Sequence, residues 1–157
     1  GSFGHPVPVV DGKTQSSGAK ASAIVLKKEF TDVKDLLCID YTSAYSTPSL
    51  DKLVRTFVYD RQGKGSFTVG DEFTANAPIR FETAITTQAN WKIIDDTHLL
   101  LTTGTEQMTV TIEASGKVAF TSETIEVNSP AYTRIGISLK EQSKDGYIRL
   151  TMRTKQL

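Results

Sequence analysis

Few residues of this 157-residue chain have a type and setting that could support chemistry. The only histidines are His5 and His98, and the only cysteine and tryptophan are Cys38 and Trp91. Catalytic dyads and metal sites need several such groups close together. His5 stands beside a proline in a polar stretch and His98 precedes an apolar run, so both contexts are typical of solvated side chains. Cys38, within LLCID, indicates a buried strand and has no second cysteine with which to pair.

Two further features have a structural and a functional interpretation. Gly63-Lys64-Gly65-Ser66 is similar to part of a phosphate-binding loop, but the required preceding glycine and following helix are absent, which favours a hairpin turn. Trp91, in NWKII, is suited to the core or a sheet edge, and the alternative is stacking on a sugar ring. The five tyrosines are interpreted as strand and interface aromatics, not as catalytic groups.

Composition limits the classes of partner. Lys plus Arg and Asp plus Glu are each 18, so the formal net charge is zero and no overall field attracts nucleic acid or another polyanion. The basic residues are scattered and lack the interleaved aromatics of a nucleic-acid platform. No apolar run approaches the roughly 18 residues of a membrane span. With 38% hydrophobic and 23% charged residues, the composition is typical of a globular protein.

The chain divides into a leading segment and one folded domain. Residues 1–21 are rich in Gly, Ser, Pro and Lys and lack periodicity, so we predict an extended, mobile segment. The leading Gly-Ser is typical of an expression remnant, and the abrupt start predicts that the chain is part of a longer protein. Residues 22–157 are predicted to form a single domain with no internal linker.

Short alternating runs dominate residues 22–157 and predict strands with one buried and one wet face. The clearest alternation covers residues 79–87, 67–73, 108–112, 135–139 and 148–152. Further strands are predicted at residues 22–30, 35–41, 53–60, 99–102 and 118–122.

Turn-forming residues separate these runs at intervals of about ten residues. Turns are predicted at residues 61–65, 76–78, 115–116 and 144–146, with one helical turn at 49–53. The pattern predicts an all-β fold, an antiparallel β-sandwich of layered sheets with about ten short strands.

Three segments resemble the C-terminal β-domain of the heparinase II/III-like polysaccharide lyases. They are GHPVPVVDGKTQ at residues 4–15, IDYTSAYSTPSLDKLVRTFVYDR at 39–61 and FTVGDEF at 67–73. The similarity extends over nearly the whole chain, but its specific motifs lie in the first half.

The resemblance implies a non-catalytic domain that supports an α/α toroid within a secreted or periplasmic bacterial enzyme. Family members cleave uronate-containing polysaccharides, glycosaminoglycans and alginate among them, by β-elimination. The catalytic residues would lie outside this chain, so the chain alone is expected to be inactive. His5 matches a family zinc ligand, whose His and Asp partners would lie upstream. The alternative is an independent carbohydrate-binding or structural β-sandwich module, using Trp91 or an exposed tyrosine.

Arg55 and Asp71 are both predicted to face inward, among apolar residues of their strands. A buried charge needs a partner, so the sequence predicts an ion pair between the two or with close neighbours. The functional alternative is contact with the toroid or the substrate cleft.

Overall fold

The computed structural model describes residues 2–127 and 129–155 and shows a two-sheet β-sandwich. Short 3₁₀ turns lie at Ser2–Gly4 and Thr42–Ala44. The strands are β1 (Val9–Val10), β2 (Ile24–Phe30), β3 (Lys34–Asp40), β4 (Leu50–Asp60), β5 (Ser66–Ile79), β6 (Phe81–Thr87), β7 (Asn90–Asp95), β8 (His98–Thr103), β9 (Glu106–Ala114), β10 (Val118–Val127), β11 (Ser129–Leu139) and β12 (Ser143–Lys155).

The two sheets are open and of unequal size. The small sheet has the order β1-β6-β11-β10, and the large sheet has the order β2-β3-β4-β5-β12-β9-β8-β7. Neighbouring strands pair antiparallel throughout. The predicted all-β antiparallel sandwich is therefore confirmed. The strand count exceeds the prediction because the two-residue β1 and the edge strand β7 were missed.

The core lies between the sheets. Phe73 of the large sheet stacks on Phe81 of the small sheet, with ring centroids 4.6 Å apart. Both side chains are almost fully buried, as are Ile135 and Ile148 from the centres of the two sheets. Contact between two apolar faces is what holds such a sandwich together.

The chain crosses between the sheets at Arg80, where the sequence predicted one continuous strand over residues 79–87. Ile79 ends β5 in the large sheet and Phe81 begins β6 in the small sheet. Asp11 braces this corner, since its carboxylate accepts a hydrogen bond from the Arg80 backbone N–H at 2.8 Å. The Asp11 backbone N–H in turn donates to the Arg80 carbonyl at 3.0 Å. The predicted alternation and the strand over residues 81–87 are confirmed, but the strand does not begin at residue 79 because the chain changes sheets at Arg80.

Two predicted turns are wrong because strands continue through them. Pro78 lies inside β5, beyond Ala75, the last residue that pairs with β4. A proline is tolerated there because its missing N–H costs no ladder bond to that neighbour. Gly146 lies inside β12, where a β-carbon would come within 3.0 Å of the Phe73 ring. This glycine permits close packing instead of making a turn.

The helical turn predicted at residues 49–53 is also wrong, because β4 begins at Leu50; the 3₁₀ turn lies earlier, at Thr42–Ala44. The part of the chain that the structure describes contains no helix with the length and apolarity of a membrane crossing.

Residues of the leading segment contact the sandwich. β1 pairs with β6 through Val9 and Val10, and Val10 is fully buried. The Ser16 N–H donates to the Ala44 carbonyl at 2.7 Å. These contacts do not measure motion, so the mobility expected for residues 1–21 stays a prediction.

Substituting Gly146→Ala should lower the free energy of unfolding by about 1–3 kcal/mol, because the added methyl group would collide with the Phe73 ring. Gly116→Ala is the matched control, since a β-carbon there meets nothing within 4 Å. Equilibrium denaturation in urea measures both. Equal midpoints for the two variants would contradict the packing role of Gly146.

Candidate functional site

A group of hydrogen-bonded polar side chains lies in the core, where Arg55 and Asp71 form an ion pair. The two residues are directly opposite each other in the β4–β5 pairing. Arg55 Nε donates to Asp71 Oδ1 at 2.7 Å, and Arg55 Nη2 donates to Oδ2 at 2.8 Å. Asp71 is 1% exposed. The predicted mutual ion pair is confirmed.

Two hydroxyl groups complete the surroundings of the carboxylate. Tyr41 donates to Asp71 Oδ1 at 2.7 Å, and Thr83 donates to Oδ2 at 2.7 Å. Asp71 thus accepts four hydrogen bonds, which compensate for the loss of water around a buried charge. We call Tyr41, Arg55, Asp71 and Thr83 the core network.

The leading segment closes the core network on one side. Arg55 Nη1 donates to the Pro6 carbonyl at 2.8 Å. Tyr45, whose ring packs edge-on against Tyr41, donates its hydroxyl to the Pro8 carbonyl at 2.8 Å. The network therefore joins the leading segment to both sheets.

Burial and charge shift the pKa values of Tyr41 and Arg55 in the core network. Burial raises the pKa of Tyr41 far above its usual range, and the Asp71 carboxylate raises it further. Burial opposes the charge on Arg55, but the hydrogen bond and the charge of Asp71 outweigh burial and raise the pKa of Arg55. Tyr41 thus keeps its proton and is unsuited to act as a base.

A second buried cation, Arg134, lies on the outer face of the small sheet. It alternates along β11 with the core residues Ile135 and Ile137, so it points away from the core. Its guanidinium donates to Glu82 at 2.7 Å and lies 4.3 Å from the centre of the Phe3 ring. Phe3 thereby covers a side chain that is only 2% exposed.

Gly136 makes room for this pair. A β-carbon at Gly136 would lie 2.8 Å from the Glu82 carboxyl carbon. Two residues before Arg134 on the same strand, Tyr132 donates its hydroxyl to the Gly4 carbonyl at 2.6 Å. Residues 3 and 4 thus pack over the small sheet.

His5 is exposed beside this cover. It borders a shallow depression of about 270 Å³, whose other lining residues include Pro6, Gln88 and Tyr132. Over residues 2–127 and 129–155, no group of three or more His, Cys, Asp or Glu side chains is placed to hold a metal ion. The described residues therefore do not form a zinc site by themselves.

The remaining candidates, His98 and Trp91, make contacts within the fold. His98 closes the β7–β8 turn, where its Nδ1 lies 2.9 Å from Asp95 Oδ1. The Thr97 backbone N–H and then His98 lower the pKa of Asp95 to about 2. Trp91 lies on the edge strand β7, half-buried against the core, as one interpretation predicted.

The glycine-rich segment is a hairpin turn. Gly63 and Gly65 adopt positive φ angles of 60° and 74° between β4 and β5. This confirms the prediction and agrees with the preference of glycine for that region.

The sequence predicted the ion pair. It did not predict the hydrogen bonds from Tyr41 and Thr83, or the contacts of Arg134 with Glu82 and Phe3. Thr83 carried a usable signal, because it is a polar residue between Phe81 and Ile85 on the buried face of β6. Tyr41 and Phe3 carried none, since their positions depend on contacts distant in sequence.

Comparisons with known proteins give a structural match only. No protein-family model and no curated protein sequence matches the chain. A heparinase III structure superposes with a TM-score of 0.73 and 17% identity, over 98% of this chain and 24% of that one. A heparan sulfate lyase from Pedobacter heparinus gives 0.73 and 13%, with the same shares. Another heparinase III gives 0.72 and 13%, over 97% and 24%.

The chain therefore has the fold of a domain found in heparinase III-type lyases. Its structural resemblance to that group, predicted from the motifs, is confirmed at the level of fold. The chain spans about a quarter of the length of the lyases it matches.

Asp71→Ala should lower the free energy of unfolding by about 3–5 kcal/mol, because it leaves the buried Arg55 charge without its partner. The double variant Arg55→Met, Asp71→Leu should lose less, since it removes both charges. Glu29→Gln, which breaks the exposed pair with Lys27, serves as the control. Chemical denaturation of all three decides the matter: a single variant no less stable than the double variant would contradict this role.

Proposed function

We propose that this chain is a non-catalytic β-sandwich domain of a polysaccharide lyase and supports an α/α toroid that carries most of the chemistry. The observation that carries the proposal is the pair of coverages: 97–98% of this chain aligns with only 24% of the matched lyases. A chain that aligns with so small a share of the matched lyases corresponds to one domain of those proteins.

The core network supports the non-catalytic role. A β-elimination needs a base and a group that neutralises the uronate carboxylate, both within reach of a polymer. Arg55 and Asp71 neutralise each other, and Tyr41 is held protonated in the interior. These side chains serve packing and are closed to a polysaccharide.

The uncovered end of the large sheet is the surface that we propose packs against the toroid. Tyr59 and Phe67 face each other across the β4–β5 pairing, and Phe30 follows on β2, the edge strand of the sheet. Their exposed fractions are 46%, 38% and 67%. Large exposed apolar side chains grouped at one end of a sheet are typical of a contact surface.

The names of the matched lyases suggest the substrate of the longer protein. One is a heparan sulfate lyase, which supports a uronate-containing, acidic polysaccharide as the substrate class. Alginate belongs to the same class of uronate polymers. Such polymers are extracellular, so we propose export to the bacterial periplasm or the cell exterior.

The chain alone should release no unsaturated uronate from heparan sulfate, heparin or alginate, whereas a longer protein that includes it should do so. The measurement is the ultraviolet absorbance of the unsaturated product, with a heparinase III as the positive control. Turnover by the 157-residue chain would refute the non-catalytic role.

The packing surface is tested in the same longer protein. Phe67→Asp should separate the unfolding transition of this domain from that of the toroid, because it charges the proposed contact. Ile94→Asp is the matched control, since Ile94 is 52% exposed on β7 at the opposite edge of the sheet. Equal effects of the two variants would count against this surface.

For zinc, we propose that His5 supplies one ligand and that residues outside this chain supply the rest. The exposure of His5 suits such a role, since an imidazole nitrogen is a common zinc ligand. His5→Ala should reduce the zinc content of the longer protein, measured by elemental analysis, while His98→Ala should not. An unchanged zinc content in the His5 variant would exclude the ligand role.

A further inference from the structure

The outer face of the large sheet, on the side away from the core network, carries a groove. Arg55, Asp71 and Ile148 face the core, so their strand neighbours Thr56, Gly70 and Arg149 face outward. The pairing registers place Thr56 opposite Gly70 and Gly70 opposite Arg149. These outward residues line a depression of about 330 Å³ that extends over β4, β5 and β12.

Gly70 forms the floor of the groove. A β-carbon at Gly70 would lie 3.6 Å from Arg149 Cγ, which is ordinary van der Waals contact. Gly70 also has no positive φ angle, so its backbone does not require glycine. Its missing side chain leaves open space between Thr56 and Arg149. A ligand could approach the sheet backbone at this point.

The groove combines a ring with hydroxyl groups. Tyr147 is 39% exposed at one side, and the Arg149 guanidinium lies 5.7 Å from its ring centre. Thr56 and Thr68 line the other side, and Thr68 shares a hydrogen bond of 3.1 Å with Thr151. A partly exposed aromatic ring beside several hydroxyls and a guanidinium suits a molecule with apolar C–H faces and many hydroxyl groups, which is the chemistry of a sugar.

The charges favour a neutral sugar over an acidic one. Arg149 is already paired with Glu113 at 3.2 Å, and Glu72 lines the same groove. The positive charge of Arg149 is thus already compensated, so the groove offers little attraction to sulfate and uronate groups.

We propose that this groove binds a neutral, hydroxyl-rich oligosaccharide, with Tyr147 stacking on a sugar ring and Arg149, Thr56 and Thr68 bonding its hydroxyls. The site lies on the face opposite the core network and takes a ligand of different charge from the polymer discussed above. Sugar binding at the groove and support of the toroid can therefore be tested independently.

The test is a nuclear magnetic resonance titration of the 157-residue chain with cellohexaose, maltohexaose, mannohexaose and a heparan sulfate hexasaccharide. At least one neutral hexasaccharide should shift the amide signals of Thr68, Gly70 and Tyr147 at millimolar concentration, and heparan sulfate should bind more weakly. Tyr147→Ala should weaken binding roughly two- to tenfold, as expected for the loss of one stacking contact.

Tyr59→Ala is the matched control. Tyr59 is 46% exposed and also has a guanidinium over its ring, that of Arg61 at 4.8 Å, but it lies outside the groove. Its loss should leave the affinity unchanged. The proposal is overturned if no neutral hexasaccharide shifts the groove amides, if heparan sulfate binds more tightly, or if the two tyrosine variants lose affinity equally.

Discussion

The buried carboxylate of Asp71 constrains the relative positions of several elements of this fold. A charge in a protein interior is costly unless it is paired and fully hydrogen-bonded. Asp71 meets that condition with two bonds from Arg55 and one each from Tyr41 and Thr83. The requirement fixes the relative positions of β4 and β5, the turn that follows β3, and β6 of the opposite sheet. Arg55 also holds the leading segment through Pro6.

This pair also selects the register of the large sheet. A slip of one residue between β4 and β5 would turn one of the two charges to the outer face and strand the other in the core. Apolar packing alone penalises such a slip less sharply, because both faces of β4 carry apolar residues such as Leu53 and Val54. The ion pair thus adds specificity to a core that Phe73, Phe81 and their neighbours stabilise.

What the sequence predicted depends on the range of the interaction. Alternation within a strand is local, so the all-β fold and the inward positions of Arg55 and Asp71 could be predicted. The continuation of β5 through Pro78 could not, because it depends on where β4 stops pairing. Gly146 looked like a turn residue until the Phe73 ring beside it was known. Tyr41 reaches Asp71 across 30 residues, and Phe3 covers Arg134 from the far end of the chain.

The unequal sheets explain why this domain has surface to spare. The four-stranded sheet covers only part of the eight-stranded sheet, and apolar side chains such as Phe67, near the start of the long strand β5, stay exposed. The outer face of the same sheet is different in character: it presents threonines, a glycine floor and a charged rim. An apolar end favours a permanent protein contact, which excludes water over a wide area. A hydroxyl-lined groove favours a ligand that exchanges with water, because its hydrogen bonds gain little in free energy over those to solvent. One sheet can therefore support both kinds of contact without competition between them.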